Sequence, residues 1–355
     1  LILLGSTGSI GVNTLKIVKK YKLNIEVLVA GKNIKLLNQQ IKEFNPKKVI
    51  VGFKDDIKLV NHTNVAFGED AILEAIENSF SKIVINALVG FLGLKPTLKS
   101  IECGKKVALA NKESLVVAGK FIDQKKLNPI DSEHFGLWYL LQNKKVDSMI
   151  ITASGGSFRD YPLESLKNVS IKEALNHPNW QMGEKITIDS ATMTNKMFEL
   201  IEAAWLFGTK KLDAIIERKS LVHALINFKD GSTTAHIANA SMQLPIAYAL
   251  LGEVKQKVLE PVDLLEVGLL EFCKIEKQRY PIWQFKDEIL NNLDLGVVLN
   301  ASNEVAVEKF LSGKIGFLDI SKITIKALEK FKHIKLNSID DVFEVDKEVR
   351  IYCGT

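Results

Sequence analysis

The first thirty residues constrain the fold more than any other stretch. Leu1–Leu4 is a short apolar strand, and Gly5-Ser6-Thr7-Gly8-Ser9-Ile10-Gly11 is a glycine-rich turn. The following VNTLKIVKKY has the pattern of a helix, and Ile25–Ala30 returns to strand. Strand, turn, helix and strand at this distance form a βαβ unit, whose parallel strands need helices packed on the sheet. The glycines allow a tight turn and bring backbone N–H groups close to a diphosphate at the helix start. The spacing is GxxGxxG, not GxGxxG, and a glycine triplet alone is a weak signature. Its place between an apolar strand and a helix makes it a nucleotide site. A carboxylate at the end of the second strand would hold the ribose 2′-hydroxyl of NAD. Here that position reads Ala30-Gly31-Lys32-Asn33, a cation and no carboxylate, which favours the 2′-phosphate of NADP. The alternative is that Lys32 only belongs to a loop that starts a helix.

The alternation continues with strands at 47–52 and 82–88, a helix at 71–80, another from Leu94 to Glu102, and a strand at 105–110. In open parallel sheets ligands collect at the carboxyl ends of strands. Asn111, Lys112 and Glu113 follow the last of these strands, where they face cofactor or substrate unless they belong to a solvated loop. The fold class expected is α/β. It comprises a Rossmann-like NADP-binding domain over 1–130, a central α+β catalytic domain over 131–253, a linker over 254–286 and a C-terminal helical bundle over 287–355.

A chain of 355 residues has room for several cores. Its net charge of +5 is spread along the sequence, without the basic blocks and interleaved aromatics of a nucleic-acid surface. Cys103, Cys273 and Cys353 are far apart and form no CxxC motif, which suits a reducing cytoplasm. No apolar run reaches the length of a membrane span, and the residues open on a strand instead of a secretory leader. A cytoplasmic location and no membrane or nucleic-acid partner are therefore expected.

Asp131-Ser132-Glu133-His134 follows the first domain. In an extended segment Asp131 and Glu133 point to one side, and two such carboxylates suit Mg²⁺ or Mn²⁺. The same string also reads as a helix start, with Asp131 or Ser132 as cap, and both readings can hold. Ser154-Gly155-Gly156-Ser157 is either a phosphate cradle of N–H and hydroxyl donors or a plain turn. His177-Pro178-Asn179-Trp180-Gln181-Met182-Gly183 has the character of a lid, unless Trp180 packs down onto the domain. Lys185–Ile188 is read as a strand, with Asp189-Ser190 capping a helix beyond it. At about 100° per residue, Met193, Met197, Leu200, Ile201, Ala204 and Trp205 form a broad apolar arc on that helix. Thr192, Asn195, Lys196, Glu199 and Glu202 share the remaining sector, which is either a solvated face or one side of a site. Ser220–Phe228 and Ser232–Ile237 form a hairpin turning at Asp230-Gly231. Segments 242–251 and 262–271 are amphipathic, and helices are expected at 297–311, 318–331 and 338–349.

Together GSTGSIG, AGKN, ANKES, DSEH, SGGSFR, HPNWQMG, DSATMTNKMFELIEAAWLF and LNASNEVAVEKFLSGKIGF closely resemble the 1-deoxy-D-xylulose 5-phosphate reductoisomerase family, from Leu1 into the C-terminal bundle. The resemblance implies NADPH-dependent rearrangement and reduction of 1-deoxy-D-xylulose 5-phosphate to 2-C-methyl-D-erythritol 4-phosphate in non-mevalonate isoprenoid synthesis. It implies cofactor contacts at Thr7, Gly8, Ser9, Ile10, Gly31, Lys32, Asn33, Asn111, Glu113 and Gly183. A divalent metal falls to Asp131, Glu133 and Glu199. Substrate contacts fall to Lys112, Ser132, Glu133, Ser154, His177, Ser190, Asn195, Lys196 and Glu199, with Lys112, His177 and the metal ligands as the catalytic set. A homodimer acting on a small phosphosugar is also implied. The chain departs from the family pattern at Glu217-Arg218, where His-Pro is frequent, and at Ser157, where Pro is usual. Another metal-assisted NADP-dependent oxidoreductase of a phosphorylated sugar is the alternative. A simple dehydrogenase has no need of the oxygen-ligand set, and a nucleotide-sensing regulator has no use for that set beside a phosphate cradle.

Overall fold

The computed structural model describes residues 1–141 and 144–354. Along the chain run β1 (Ile2–Leu4), α1 (Ser9–Lys20), β2 (Val27–Ala30), α2 (Ile34–Phe44), β3 (Lys48–Val51), β4 (Val65–Phe67) and α3 (Gly68–Asn78). Next come β5 (Ile83–Asn86), α4 (Leu94–Glu102), β6 (Lys106–Leu109), α5 (Lys112–Ala118), β7 (Leu127–Pro129), α6 (Ser132–Leu140) and β8 (Val146–Ala153). The middle of the chain forms α7 (Ile171–Ala174), α8 (Glu184–Thr192), α9 (Thr194–Phe207), β9 (Leu212–Glu217), β10 (Val222–Phe228) and β11 (Thr233–Ile237). It ends with α10 (Gln243–Leu251), α11 (Leu264–Val267), β12 (Phe272–Cys273), α12 (Lys286–Asn291), α13 (Leu295–Leu311), α14 (Phe317–Lys330) and α15 (Ile339–Gly354).

Two compact units divide these elements. One holds Leu1–Ser114, Ile122–Asp131 and Ser241–Leu259, and the other holds Leu115–Phe121, Ser132–Ala240 and the chain from Glu260 onward. The first unit carries an all-parallel sheet in the order β4-β3-β2-β1-β5-β6-β7. Strand order reverses at β1 and β5, the switch point where such sheets bind ligands. Period-two alternation sorts the side chains onto two faces. Leu3, Leu28, Val49, Ile85 and Ala108 enter one cluster with α1, and Ile2, Leu4, Val27, Val29, Ile50 and Val84 enter the other with α3. The segment 241–259 belongs to this unit, whereas the sequence-based boundaries assign it to the catalytic domain and linker. Ile246, Ala247, Ala249 and Leu250 of α10 share the α1 cluster, and Asn128 Nδ2 donates to the Ala249 carbonyl at 2.9 Å.

The second unit is built on a mixed sheet, β11-β10-β8-β9-β12, in which β8 and β9 are parallel and the other pairs antiparallel. A second core gathers Phe158, Ile188 and Ala191 with Ala306, Val307, Phe310, Phe317 and Ile320 of α13 and α14. The expected hairpin is β10–β11, and the three expected C-terminal helices are α13, α14 and α15. The expected amphipathic stretch 262–271 yields only the single turn of α11.

At the β1–α1 turn two glycines are required by space. Gly5 has φ +85°, and a Cβ there would stand 2.5 Å from the Ala87 carbonyl oxygen. A Cβ at Gly11 would stand 2.3 Å from the Gly5 oxygen and 2.5 Å from the Ser6 carbonyl carbon. Both contacts are with backbone, so the helix must move to admit a methyl group. Gly11→Ala is therefore expected to cost about 1–3 kcal/mol of stability, read as a lower midpoint in urea unfolding; an unchanged midpoint would contradict this packing.

Candidate active site

Because Gly8 has no side chain to cap α1, and the first turn of that helix holds no acidic residue, the helix start suits an anion. Gln40 of α2 steadies the turn from behind, donating Nε2 to the Ser6 carbonyl at 2.9 Å. After β2, Gly31, Lys32 and Asn33 are exposed. Asn33 caps α2, its Oδ1 accepting from the Leu36 N–H at 3.1 Å. Asn111 is fully buried and acts as a brace. Its Nδ2 donates to the carbonyls of Leu88 at 2.9 Å and Gly90 at 2.8 Å, and its Oδ1 accepts from the Ser114 hydroxyl at 2.5 Å. Next to it, the Lys112 ammonium pairs with Asp131 at 2.8 Å.

Asp131 is the last residue before α6, and Glu133 lies in the first turn of that helix. Of the two sequence readings the helix start is the one realised, so the extended geometry that would align Asp131 with Glu133 is not what brings them together. Glu199 comes from α9. One carboxylate oxygen each of Asp131, Glu133 and Glu199 lies within 4.8 Å of the others. Lys196, one turn before Glu199, donates to Glu133 at 2.8 Å and also to Glu199, while Asn195 Nδ2 donates to Glu199 at 2.6 Å. The Ser132 hydroxyl donates to the other Glu133 oxygen at 2.5 Å. The ammonium groups of Lys112 and Lys196 offset two of the three carboxylate charges. An oxygen-only donor set with residual negative charge fits a hard divalent cation.

Behind α9, His134 Nε2 meets the Glu199 carbonyl oxygen at 2.8 Å, so that nitrogen carries the proton. Nδ1 lies 3.6 Å from a Glu202 carboxylate oxygen, with both side chains buried. Glu202, which had no role from sequence, thus backs the helix that carries Glu199.

Residues 185–188 are helix, which corrects the expected strand. The polar sector is accordingly split: Thr192 ends α8, Met193 turns the chain in the left-handed region at φ 68°, and Asn195, Lys196, Glu199 and Glu202 follow on α9. Within α8, Lys185 pairs with Asp189 at 2.8 Å. The other Asp189 oxygen accepts from Asn303 of α13 at 2.7 Å, with Asp189 and Asn303 both buried. This polar link fixes the helix that presents Ser190.

A separate group of donors assembles around His177. The Ser154 hydroxyl is 2.8 Å from His177 Nε2, and the Ser190 hydroxyl is 3.3 Å from the same atom. Nδ1 accepts from the N–H groups of Asn179 at 3.1 Å and Trp180 at 3.0 Å. Two donors at Nδ1 leave Nε2 as the protonated nitrogen. Gly155 and Gly156 both have positive φ, and a Cβ at Gly156 would stand 2.5 Å from the Ala191 Cα, so the loop after β8 lies directly on α8. Arg159 steadies this loop through Nη1, which donates to the carbonyls of Ser154 at 2.8 Å and Arg218 at 2.7 Å. The indole of Trp180 meets the His223 ring edge-on at 6.3 Å between centroids. Of the substrate residues expected from sequence, Ser154, His177 and Ser190 form this group. Asn195 and Lys196 turn to the carboxylate centre.

Sequence reading passed over Arg159, His134 and Asn303. Arg159 carried a signal, since a strand end followed by two glycines needs a side chain to fill the carbonyls it leaves open. The other two gave none, because their partners are distant in the chain.

A parallel sheet of this strand order, with a glycine-rich turn at its switch point and a chain leading through Asp131 to a carboxylate centre, has the layout of a dinucleotide-dependent oxidoreductase. Residues 1–119 match the family profile of 1-deoxy-D-xylulose 5-phosphate reductoisomerase, residues 127–207 its C-terminal domain profile, and residues 237–352 a DXP reductoisomerase C-terminal domain profile. The chain belongs to the 1-deoxy-D-xylulose 5-phosphate reductoisomerase family. It is 58% identical to the protein of that name from Nautilia profundicola over 99% of both chains. It is 55% identical to the one from Campylobacter lari, over 99% of this chain and 98% of the relative. A solved DOX-P reductoisomerase in complex with NADPH, fosmidomycin and magnesium is similar with a TM-score of 0.92 and 32% identity, over 99% of this chain and 97% of that one. The Zymomonas mobilis enzyme in complex with NADPH gives a TM-score of 0.88 and 34% identity, over 99% and 97%.

Burial, and secondarily the charge of Arg159, push the His177 pKa from its ordinary 6.5 down to about 4. Between those values the unfolded chain takes up a proton that the folded ring refuses. Stability from this group is therefore complete above pH 6.5 and falls as pH drops toward 4. His236, also lowered to about 4 by burial and then by His223, adds a second contribution of the same sign. An NMR titration of His177 is expected to give a midpoint near pH 4; a midpoint near 6.5 would mean that water reaches the ring.

Proposed function

We propose that the chain binds NADPH and a divalent ion, Mg²⁺ or Mn²⁺, and converts 1-deoxy-D-xylulose 5-phosphate into 2-C-methyl-D-erythritol 4-phosphate by rearrangement followed by reduction. This is a step of non-mevalonate isoprenoid-precursor synthesis. The observation that carries the reading is the set of three carboxylate oxygens within 4.8 Å in a chain of this family. A dehydrogenase working on an alcohol needs no such centre.

Asp131, Glu133 and Glu199 hold the ion. When bound, the ion acts as a Lewis acid toward adjacent carbonyl and hydroxyl oxygens of the sugar, and NADPH supplies the hydride. The chain's own part is to bind, orient and exclude water. Ser154 and Ser190 hydroxyls and the Nε2–H of His177 take the substrate phosphate as neutral donors, so binding energy is spent far from the reacting carbons. Ser132, Asn195 and Lys196 hold Glu133 and Glu199 in place and line the substrate's path. Lys112 lies between Asn111 and Glu113 in sequence and pairs with Asp131, a position from which its charge acts on both cofactor and sugar. The helix start at Thr7, Gly8, Ser9 and Ile10 takes the cofactor diphosphate, and Gly31, Lys32 and Asn33 take the adenosine 2′-phosphate. Asn111, Glu113 and, at the end of the lid, Gly183 complete the cofactor set. Trp180 and Met182 close over the substrate and keep water from the reacting carbonyl.

A homodimer accords with the exposed apolar side chains of Leu264, Leu265, Leu269 and Phe272, and sedimentation would check it. No helix among the described residues is long and apolar enough to cross a membrane, and the three cysteines are unbridged, which agrees with a cytoplasmic site of action.

NADPH oxidation is expected with 1-deoxy-D-xylulose 5-phosphate only when Mg²⁺ or Mn²⁺ is present; equal rates under chelation would refute the metal centre. Glu199→Gln is expected to lower kcat ~100-fold or more with NADPH affinity kept, and loss of NADPH affinity would remove Glu199 from the metal set. Lys32→Ala is expected to weaken NADPH about tenfold while NADH hardly changes. Equal weakening of the two would mean that Lys32 does not read the 2′-phosphate.

A further inference from the structure

Glu217, the last residue of β9, is completely buried. Its carboxylate accepts three backbone N–H groups, from Lys219 at 2.8 Å, Leu221 at 2.7 Å and Val222 at 3.1 Å. Charge-assisted bonds of this kind are strong, and loss of the acceptor leaves three N–H groups unmatched, that of Val222 in the interior. The carboxylate thus fixes the turn Arg218-Lys219-Ser220, in which Ser220 takes a left-handed conformation at φ 56°. The carbonyl of Arg218 points back toward the loops around His177. It accepts from Asn179 Nδ2 at 2.8 Å and from Arg159 Nη1 at 2.7 Å. Asn179 also donates to the Ser220 hydroxyl at 2.7 Å. Through these two donors a single turn is tied to both sides of the phosphate group's binding residues. Asn179 gives its backbone N–H to His177 Nδ1, and Arg159 holds the Ser154 carbonyl.

The Arg218 side chain is not needed for this. It is partly exposed and pairs with Asp160 and, at 3.6 Å, with Glu271, contacts that contribute little at a surface.

We propose that Glu217 is a positioning residue for phosphate binding: it holds the Arg218 carbonyl where Asn179 and Arg159 need it, and through them sets the spacing of His177 and Ser154. The proposal rests on the reading that Ser154, His177 and Ser190 receive the substrate phosphate. Its reach is confined to the sugar side of the reaction, since none of the residues in the chain of contacts belongs to the cofactor set.

Steady-state kinetics of the full chain with NADPH, Mg²⁺ and 1-deoxy-D-xylulose 5-phosphate test it. Glu217→Gln is expected to raise the KM for the sugar about tenfold, with kcat within about threefold and the KM for NADPH unchanged. Arg218→Ala, which keeps the carbonyl, is expected to leave all three within about twofold. Asn179→Ala removes the donor while leaving the Glu217 carboxylate and its three N–H bonds in place and is expected to reproduce the KM rise, which keeps the test decisive if Glu217→Gln fails to fold. A purely structural role for Glu217 would lower the melting temperature and leave the sugar KM of the folded variants unmoved, and that result overturns the proposal. Ser154→Ala separates the two readings. If it leaves the KM unchanged, the phosphate assignment falls; if it raises the KM while Glu217→Gln and Asn179→Ala do not, only the positioning role falls.

Discussion

Three carboxylates that converge without compensation would force the structure apart. At separations of no more than 4.8 Å and an effective dielectric constant of about 20, each pair repels by roughly 3 kcal/mol or more. The fold answers with cations and donors drawn from the helices that carry the acids. Lys196 is placed one turn before Glu199, so the same helix face supplies the acid and its neutralising ammonium. Asn195 and Ser132 take up further carboxylate lone pairs. The polar stripe of α9 is therefore a self-balancing unit, and the apolar remainder of the helix is free to be buried. Met197, Leu200, Ile201 and Ala204 are all in the interior.

The first unit was the most legible part of the chain, because its strands and helices follow local periodicity and its glycine turn is fixed by sterics. The site was legible by motif more than by geometry. Asp131 and Glu133 read either as an extended pair, which period two aligns, or as a helix start; the helix begins at Ser132 and converges them on Glu199 by that second route. Lys185–Ile188 read as strand because Ile186, Thr187 and Ile188 are β-branched. Tertiary context decides otherwise: Ile188 enters a helical core, and Lys185 and Asp189 pair across one helical turn. The allegiance of α10 was hidden for a simpler reason. Its partners in α1 lie more than two hundred residues earlier, and no local pattern records that.

Glu217 and Arg218 show how a departure from a family pattern resolves physically. In sequence they stand where the family frequently has His-Pro. In the fold one is buried as an acceptor for backbone N–H groups, and the other contributes mainly its carbonyl. The C-terminal helices are similarly more than a cap. Asn303 reaches out of α13 to Asp189, one residue before Ser190, so a C-terminal helix fixes the register of the one that presents the Ser190 hydroxyl.

The imidazole of His177 joins two things usually treated apart. Its Nδ1 is committed to the backbone of Asn179 and Trp180, and its Nε2 faces the hydroxyls of Ser154 and Ser190. An anion that settles against Nε2 polarises the ring and tightens its hold on the two amides behind it. Those amides belong to the chain that carries the Trp180 indole, which meets His223 edge-on. One ring therefore ties the hydroxyls of Ser154 and Ser190 to the stretch of backbone that carries Trp180, and neither can shift without the other.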